Sequence, residues 1–304
     1  MGDYLARRTL HSVVSLVGLL VLVFFLARLT GDPTNLYLPL DASLETRAQF
    51  AERHGFNDPV IEQFGRFVAG LARFDFGTSL RQQRSAMTIA LEAFPATLKL
   101  AAVAMTLAIG GALIVGALAG YRPGGTFDRV ASVLSLGGAS APDFWVAIMA
   151  ILLFAVVLGW LPTSGTGGPA YWVMPIGILL IRPFGLLVQV VRGAMMTALA
   201  SAYVKTARAK GVRERSVIFV HALRNSMLPV ITVAGDQAAG IVNGAVIVET
   251  VFGWPGIGKL MIDAVMQRDF AVIQASILVT AVAIFAMNIL IDIAYAVLDP
   301  RIRH

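Results

Sequence analysis

The sequence contains no cysteine, which excludes disulfides and thiolate metal sites but leaves the redox compartment open. Charge is scarce as well. Asp, Glu, Lys and Arg together make up 14% of the 304 residues, against about 25% in a soluble domain. Histidine is limited to His11, His54, His221 and His304, scattered without metal-ligand spacing. There is no nucleophile elbow and no paired-carboxylate arrangement, so neither an enzyme nor a metal site is expected. No internal repeat is visible.

Apolar residues fill the space. They are 57% of the chain, and mean hydropathy is +0.77, as in a protein built for lipid. A net charge of +6 raises the question of a nucleic-acid partner. Its distribution answers the question, because the excess sits in basic loops between apolar stretches, and no nucleic acid is expected.

A span needs about 20 mostly apolar residues. Six are expected, at about Leu10–Leu29, Thr97–Tyr121, Val130–Leu158, Tyr171–Val191, Leu228–Val248 and Val272–Leu298. Arg7 and Arg8 precede the first. That run is too long for a signal-peptide core and no small-x-small cleavage site follows it, so it reads as an uncleaved span with its N-terminus inside. The charges test this topology. The inner segments hold Arg7, Arg8, Arg122, Arg129, seven residues of one loop, Arg301 and Arg303, while the short outer loops hold only Lys259 and Arg268. Positive charge marks the cytoplasmic side, so both termini are expected inside. The first outer segment, Gly31–Ala96, is long and mixed in charge, and long segments cross regardless of charge. It carries Phe50, Phe56, Phe64, Phe67, Phe74 and Phe76, which predict short helices on the outer membrane face or against neighbouring spans. Gly31-Asp32-Pro33 reads as a turn.

Gly253–Lys259 has the pattern G-x-x-x-x-G-K, most of a phosphate-binding loop. The Ser or Thr that should follow is replaced by Leu260, no strand precedes the glycines, and the topology puts them outside. The reading is rejected in favour of a tight re-entrant turn built on Trp254, Pro255, Gly256 and Gly258. The turn-rich segment Pro162–Pro169 makes a second outer loop.

Ionisable residues within spans are functional candidates, because a charge in lipid is costly. Arg182 lies in the fourth span beside Pro183, Asp236 in the fifth and Asp292 late in the sixth, while Lys99 can snorkel from the end of the second. Two readings stand for Arg182 and Asp236. They line a substrate path, or they pair with each other or with a partner subunit. Asn243 joins them as a path candidate.

The basic loop carries the most information. Arg192, Lys205, Arg208, Lys210, Arg213, Arg215 and Arg224 lie in it with Glu214 as the only acid. Ala207 and Ala209 are small enough to let another surface approach. Gly211 predicts a helix stop, and a second helix follows from about Glu214 to Arg224, with Val217, Phe219, Val220 and Leu223 as its apolar contacts. Asn225 is placed to cap it, and Pro229 suits the first turn of the fifth span. A generic positive-inside loop has no need of this order; a docking surface does.

Residues 203–229 resemble the cytoplasmic loop of ABC importer permeases of the dipeptide, oligopeptide and nickel branch. The general signature of that family is E-A-A, three residues, then Gly, with a downstream I-x-L-P. Lys205-Thr206-Ala207 occupies the E-A-A positions and Gly211 the glycine, while Pro229 falls farther on than the general pattern has it. Thr206–Gly211, T-A-R-A-K-G, and His221–Pro229, H-A-L-R-N-x-x-L-P, resemble the peptide branch. So do Gly31-Asp32-Pro33, Glu249–Phe252 with Trp254–Gly258, and the ending Asp299–Arg303. The resemblance implies an all-α polytopic protein with six transmembrane helices and the type I importer fold. Its parts would be residues 1–93 (first span and outer segment), 94–298 (transport domain, including coupling loop 192–228) and the tail 299–304.

The resemblance further implies a bacterial or archaeal cytoplasmic membrane as the location, with lipid around the chain. A second, similar permease, two cytoplasmic ATPases and an extracytoplasmic solute-binding protein would complete the transporter. ATP and magnesium would sit on the ATPases, and no cofactor on this chain. Thr206, Ala207, Arg208, Ala209, Lys210, Gly211, Glu214, His221, Arg224, Asn225 and Pro229 would form the ATPase-coupling loop, with the Trp254–Gly258 turn as an outer gate. Short peptides are the first choice of solute, with nickel chelates, oligosaccharides and opine-like solutes as alternatives within the same class. A secondary transporter is the rival class, and would often show inverted repeats and broken helices. A non-transporting scaffold would need neither the docking loop nor buried charge.

Overall fold

The computed structural model describes residues 2–29, 38, 42–79 and 81–298, and among them every regular element is a helix. Gly31-Asp32-Pro33 and Asp299–Arg303 lie outside the described residues, as do the side chains of Asn243 and Asp292. The elements are α1 (Gly2–Leu29), α2 (Leu44–Arg53), α3 (Val60–Leu71), α4 (Ala86–Tyr121), α5 (Thr126–Ser140), α6 (Asp143–Val157), α7 (Ala170–Ala200), α8 (Ala202–Ala209), α9 (Glu214–Asn225), α10 (Met227–Phe252), α11 (Ile257–Met266) and α12 (Phe270–Leu298).

The expected spans are present, with three corrections. The second begins at Ala86 rather than Thr97, about three turns earlier. The fourth continues to Ala200, well beyond Val191. The third is a bent pair rather than one straight helix, with α5 and α6 meeting at 105°. Pro142 lacks an N–H and pushes its predecessor towards extended backbone. Ala141 (φ −74°, ψ 137°) and Pro142 (φ −65°, ψ 128°) are accordingly both extended, and the helix stops there.

The chain divides into two compact units, one made of the residues up to Ala96 with Pro255–Phe285, the other of Thr97–Trp254 with the residues from Ala286 on. In the first, Leu20, Ile89, Ile257, Val272 and Leu278 share one apolar core. The segment after α1 packs back on it, because Phe67 of α3 stacks on Phe24 of α1 at 5.0 Å between centroids and Phe64 meets the same ring at 5.4 Å. Buried Asp269 caps α12 by accepting from Val272 N–H, and Ser79 Oγ donates to its Oδ2 at 2.5 Å.

In the second unit, close contacts give the direction of each span. Ideal Cβ atoms on Gly116 and Gly120 of α4 would lie 2.6 Å from Val191 Cβ and 2.8 Å from the Arg192 carbonyl oxygen, so α4 and α7 run parallel. Helix α5 is antiparallel to α7. A Cβ on Gly138 would lie 2.9 Å from Ile181, and one on Gly185 would lie 2.3 Å from the Ser135 carbonyl oxygen. Helix α10 is antiparallel to α7 too, with Ser226 against Met195 at one end and Gly244 near Leu179 at the other. Gly235 of α10 meets Ile291 of α12. Successive spans of this unit therefore alternate in direction, as a polytopic chain requires.

Candidate functional site

The basic loop folds as a helix, a glycine turn and a second helix. Helix α8 ends at Ala209, and Gly211 takes φ +75°. A Cβ there would meet nothing within 4 Å, so the position needs glycine for its left-handed backbone rather than for space. Arg208 closes the turn by a two-point contact on Glu214, with Nη2 2.6 Å from Oε1 and Nε 3.3 Å from Oε2. The pairing with Arg208 holds the Glu214 carboxyl below its ordinary range and raises Arg208. Tyr121, at the end of α4, adds a smaller lowering of the same carboxyl.

Helix α9 contains a π-helical stretch, Val217–Ala222, in which residues five apart stack. That period places Val217 and Ala222 on one buried face with Ile218. Phe219 and Val220, expected among the apolar contacts, are exposed instead. Val204 of α8 is fully buried as well. Ser226 follows and donates to Met195 Sδ of α7 at 3.7 Å. Asn225 Nδ2 donates to the His221 carbonyl at 2.9 Å and so closes the end of α9, and Pro229 stands in the first turn of α10, which leaves α9 at 61°. Thr206, Arg208, Ala209, Lys210, Gly211, Arg224 and Asn225 are exposed, while Ala207, Glu214 and His221 are half-buried.

Arg192 is a correction. It was counted with the loop charges, yet it lies inside α7 and grips Asp128 of α5. Its Nε and Nη2 reach the two carboxylate oxygens, the latter at 2.8 Å. Asp128 is buried and also accepts from Gly124 N–H at 2.8 Å. The sequence points to neither residue as a partner, because the apolar runs begin at Val130 and end at Val191, which leaves both in loops.

Arg182 and Asp236 form no ion pair with each other among the described residues. Asp143, at the bend between α5 and α6, lies within range of the Arg182 charge, with no ion pair between them among the described residues. Asp143 was missed within the third span. Its Oδ2 would lie 3.8 Å from a Cβ on Gly244 of α10. Asp236 accepts from neighbouring Gln237 at 3.3 Å. Arg182 and Asp236 are both exposed on the isolated chain. On α10, Pro229, Thr232, Asp236, Gly240, Ile247 and Thr250 form one exposed stripe at helical spacing, and on α7 Arg182, Leu186, Gly193 and Thr197 form another.

At the far end of α10, Gly253 caps the helix with φ +63° and the Trp254 N–H returns to the Glu249 carbonyl at 2.8 Å. Buried Trp254 meets Trp172 of α7 edge-on at 4.7 Å, and Gly165 N–H donates to the Phe252 carbonyl at 2.8 Å. The glycines thus follow a helix rather than a strand. Pro255 is exposed, Gly256 and Gly258 are buried, and Lys259 is paired with Asp263. Glu249 is fully buried and accepts from Thr97 Oγ1 at 2.5 Å. It escaped the count of ionisable residues in spans because the fifth span was ended one residue before it.

Among the described residues no group of three or more His, Asp or Glu is arranged to hold a metal. The family model for a binding-protein-dependent transport system inner membrane component matches residues 112–304. The chain is 35% identical, over the whole of both chains, to the oligopeptide transport system permease protein AppB of Bacillus subtilis. It is 36% identical to the di/tripeptide transport system permease protein DppB of Pseudomonas aeruginosa, over 100% of this chain and 99% of that one. A crystal structure of an amino acid ABC transporter with histidines shares the fold, with a TM-score of 0.54 at 16% identity, over 69% of this chain and 94% of that chain. Helices of this length and direction, a helix-glycine-helix loop with exposed basic residues, and likeness over the full length agree: the chain belongs to the family of binding-protein-dependent transport system inner membrane components, as a permease subunit rather than an enzyme.

Proposed function

We propose that this permease forms half of the translocation path of an ATP-driven importer of short peptides, and that residues 202–225 are the joint through which ATPase subunits move it. The observation that carries this reading is the loop itself. Two helices joined at Gly211 bury Val204, Val217 and Ala222 and present Thr206, Arg208, Lys210, Phe219, Val220 and Arg224 outward. An apolar pair ringed by basic residues has the composition of a docking surface. The peptide substrate is supported by relatives named for oligopeptide and di/tripeptide transport. A nickel chelate or an oligosaccharide would leave this chain unchanged in kind, and the solute found in the cognate binding protein decides among them.

In this reading two cytoplasmic ATPases bind ATP and magnesium, a second homologous permease completes the path, and an extracytoplasmic binding protein delivers the solute. The basic inner loops support cytoplasmic termini. Closure of the ATPases carries α8 and α9 with them. Because α9 is continuous in sequence with α10 and packs with α8 on α7, the two spans tilt together. The cavity then faces outward, and hydrolysis reverses the tilt through differential docking in the two states. The exposed charges Arg182 and Asp236 cannot face lipid at low cost, so their stripes face the path or the second permease. Asn243 lies on α10 in the same span, and the Trp254–Gly258 turn serves as the outer gate.

Purification of the complex tests the class, since ATPase subunits should come down with this chain. Gly211→Asp places an L side chain at φ +75° with no steric clash, so backbone strain alone deforms the turn. Membrane insertion should persist and uptake should be lost. Normal uptake by that variant would sink the coupling role.

A further inference from the structure

We infer that Asp128 and Arg192 are positioning residues of the transport stroke, a clasp that makes α5 move with the coupling loop. The inference rests on the reading of residues 202–225 as that loop. Arg192 stands one turn from Met195, the residue against which Ser226 docks at the end of α9. On the same turn of α7, Gly120 of α4 closes on the Arg192 carbonyl and Met195 Cβ, both 2.8 Å from its ideal Cβ, and neighbouring Tyr121 is near enough to the loop to act on Glu214. The inner ends of α4 and α7 therefore meet the loop directly. Among the described residues, the polar tie of helix α5 to α7 at this level is Asp128.

The geometry suits a mechanical link. A guanidinium fork on a carboxylate fixes both distance and plane. Asp128 is further held by Gly124 N–H, in the turn joining α4 to α5, and by Ser132 Oγ at 3.4 Å. Farther out, α5 meets α7 through glycines and apolar atoms at Gly185, Ser135, Gly138 and Ile181, and such surfaces slide past one another at small cost, as packed helices do in shear. An ion pair on a buried carboxylate resists sliding, because pulling Arg192 away leaves the Asp128 charge uncompensated. The clasp therefore locks the inner end of α5 to α7 and hands the stroke on to Asp143 and α6 beyond the bend.

The test uses the complete transporter with its ATPases in lipid, nucleotide-free and vanadate-trapped. Spin labels on exposed Val133 of α5 and exposed Lys205 of α8 report their separation, and a second pair spans Lys205 and the ATPase. The expected result is a Val133–Lys205 distance that stays constant between the two states in the parent protein and shifts on trapping in Arg192→Lys, which keeps the charge but loses the fork. The exchange Asp128→Arg with Arg192→Asp restores the constant distance. A distance that already shifts in the parent, or that stays constant in Arg192→Lys while only thermal stability falls, overturns the inference and leaves a purely structural pair. The second label pair separates the two readings. If Lys205 stays far from the ATPase in both states, the coupling-loop reading fails; if it is near and only the first pair misbehaves, the clasp alone fails.

Discussion

Arg208 and Glu214 face each other across the Gly211 turn, Nη2 2.6 Å from Oε1, so the two helices of the loop are tied by charge as well as by chain. Both side chains are more than a third exposed, so the pair shapes the loop more than it stabilises the protein.

Its pH response follows. Glu214 has its carboxyl lowered from 4.5, first by the hydrogen bonds from Arg208. A lowered carboxyl favours the closed loop above its ordinary pKa, and that preference is lost as pH falls through the lowered value. Protection of the amides of residues 205–215, with the intrinsic pH dependence of exchange divided out, should be constant near neutrality and fall on acidification below the ordinary carboxylate range. Glu214→Gln should show the lower protection at all pH values. A variant that exchanges like the parent would remove the tie from the account.

Gly185 admits no side chain. An ideal Cβ would lie 2.3 Å from the Ser135 carbonyl oxygen and 3.1 Å from Ala139 Cβ, so Gly185→Val must push α5 off α7. Overpacking of this kind costs about 1–3 kcal/mol. A lower midpoint of thermal unfolding in detergent is expected, and Gly177→Val on the same helix, where nothing lies within 4 Å of the Cβ, is the control expected to change it little.

Asp143 and Arg182 should behave as a coupled pair and Asp236 as an independent site. Asp143→Asn and Arg182→Gln are each expected to lower uptake, with the double variant no worse than the worse single, while Asp236→Asn adds its effect separately. If Arg182→Gln and Asp236→Asn leave uptake per molecule intact and lower only expression, neither touches the solute.

Much of this was legible along the chain. Apolar runs of span length, the basic loop, the glycine stop at Gly211 and the helix after it depend on residues a few positions apart, and local rules of capping and hydropathy reach that far. Span ends were less legible, and the errors had one consequence. Asp128, Arg192 and Glu249 were assigned to loops or ignored, since a charge near the edge of an apolar run reads as its boundary. Hydropathy cannot tell a charge that ends a helix from one that continues it in the company of a partner. The bend at Pro142 was missed in the same way, because an apolar run continues past the proline.

The sequence by itself determined that this chain is built of apolar helices of membrane-span length and carries a basic helix-glycine-helix loop between two of them. Only the tertiary structure decided which charges meet and which apolar residues of the loop stay open. Asp128 finds Arg192, 64 positions away, because α5 packs antiparallel on α7. Phe219 and Val220 remain exposed because Val217, Ile218 and Ala222 occupy the face of α9 that is turned to the protein.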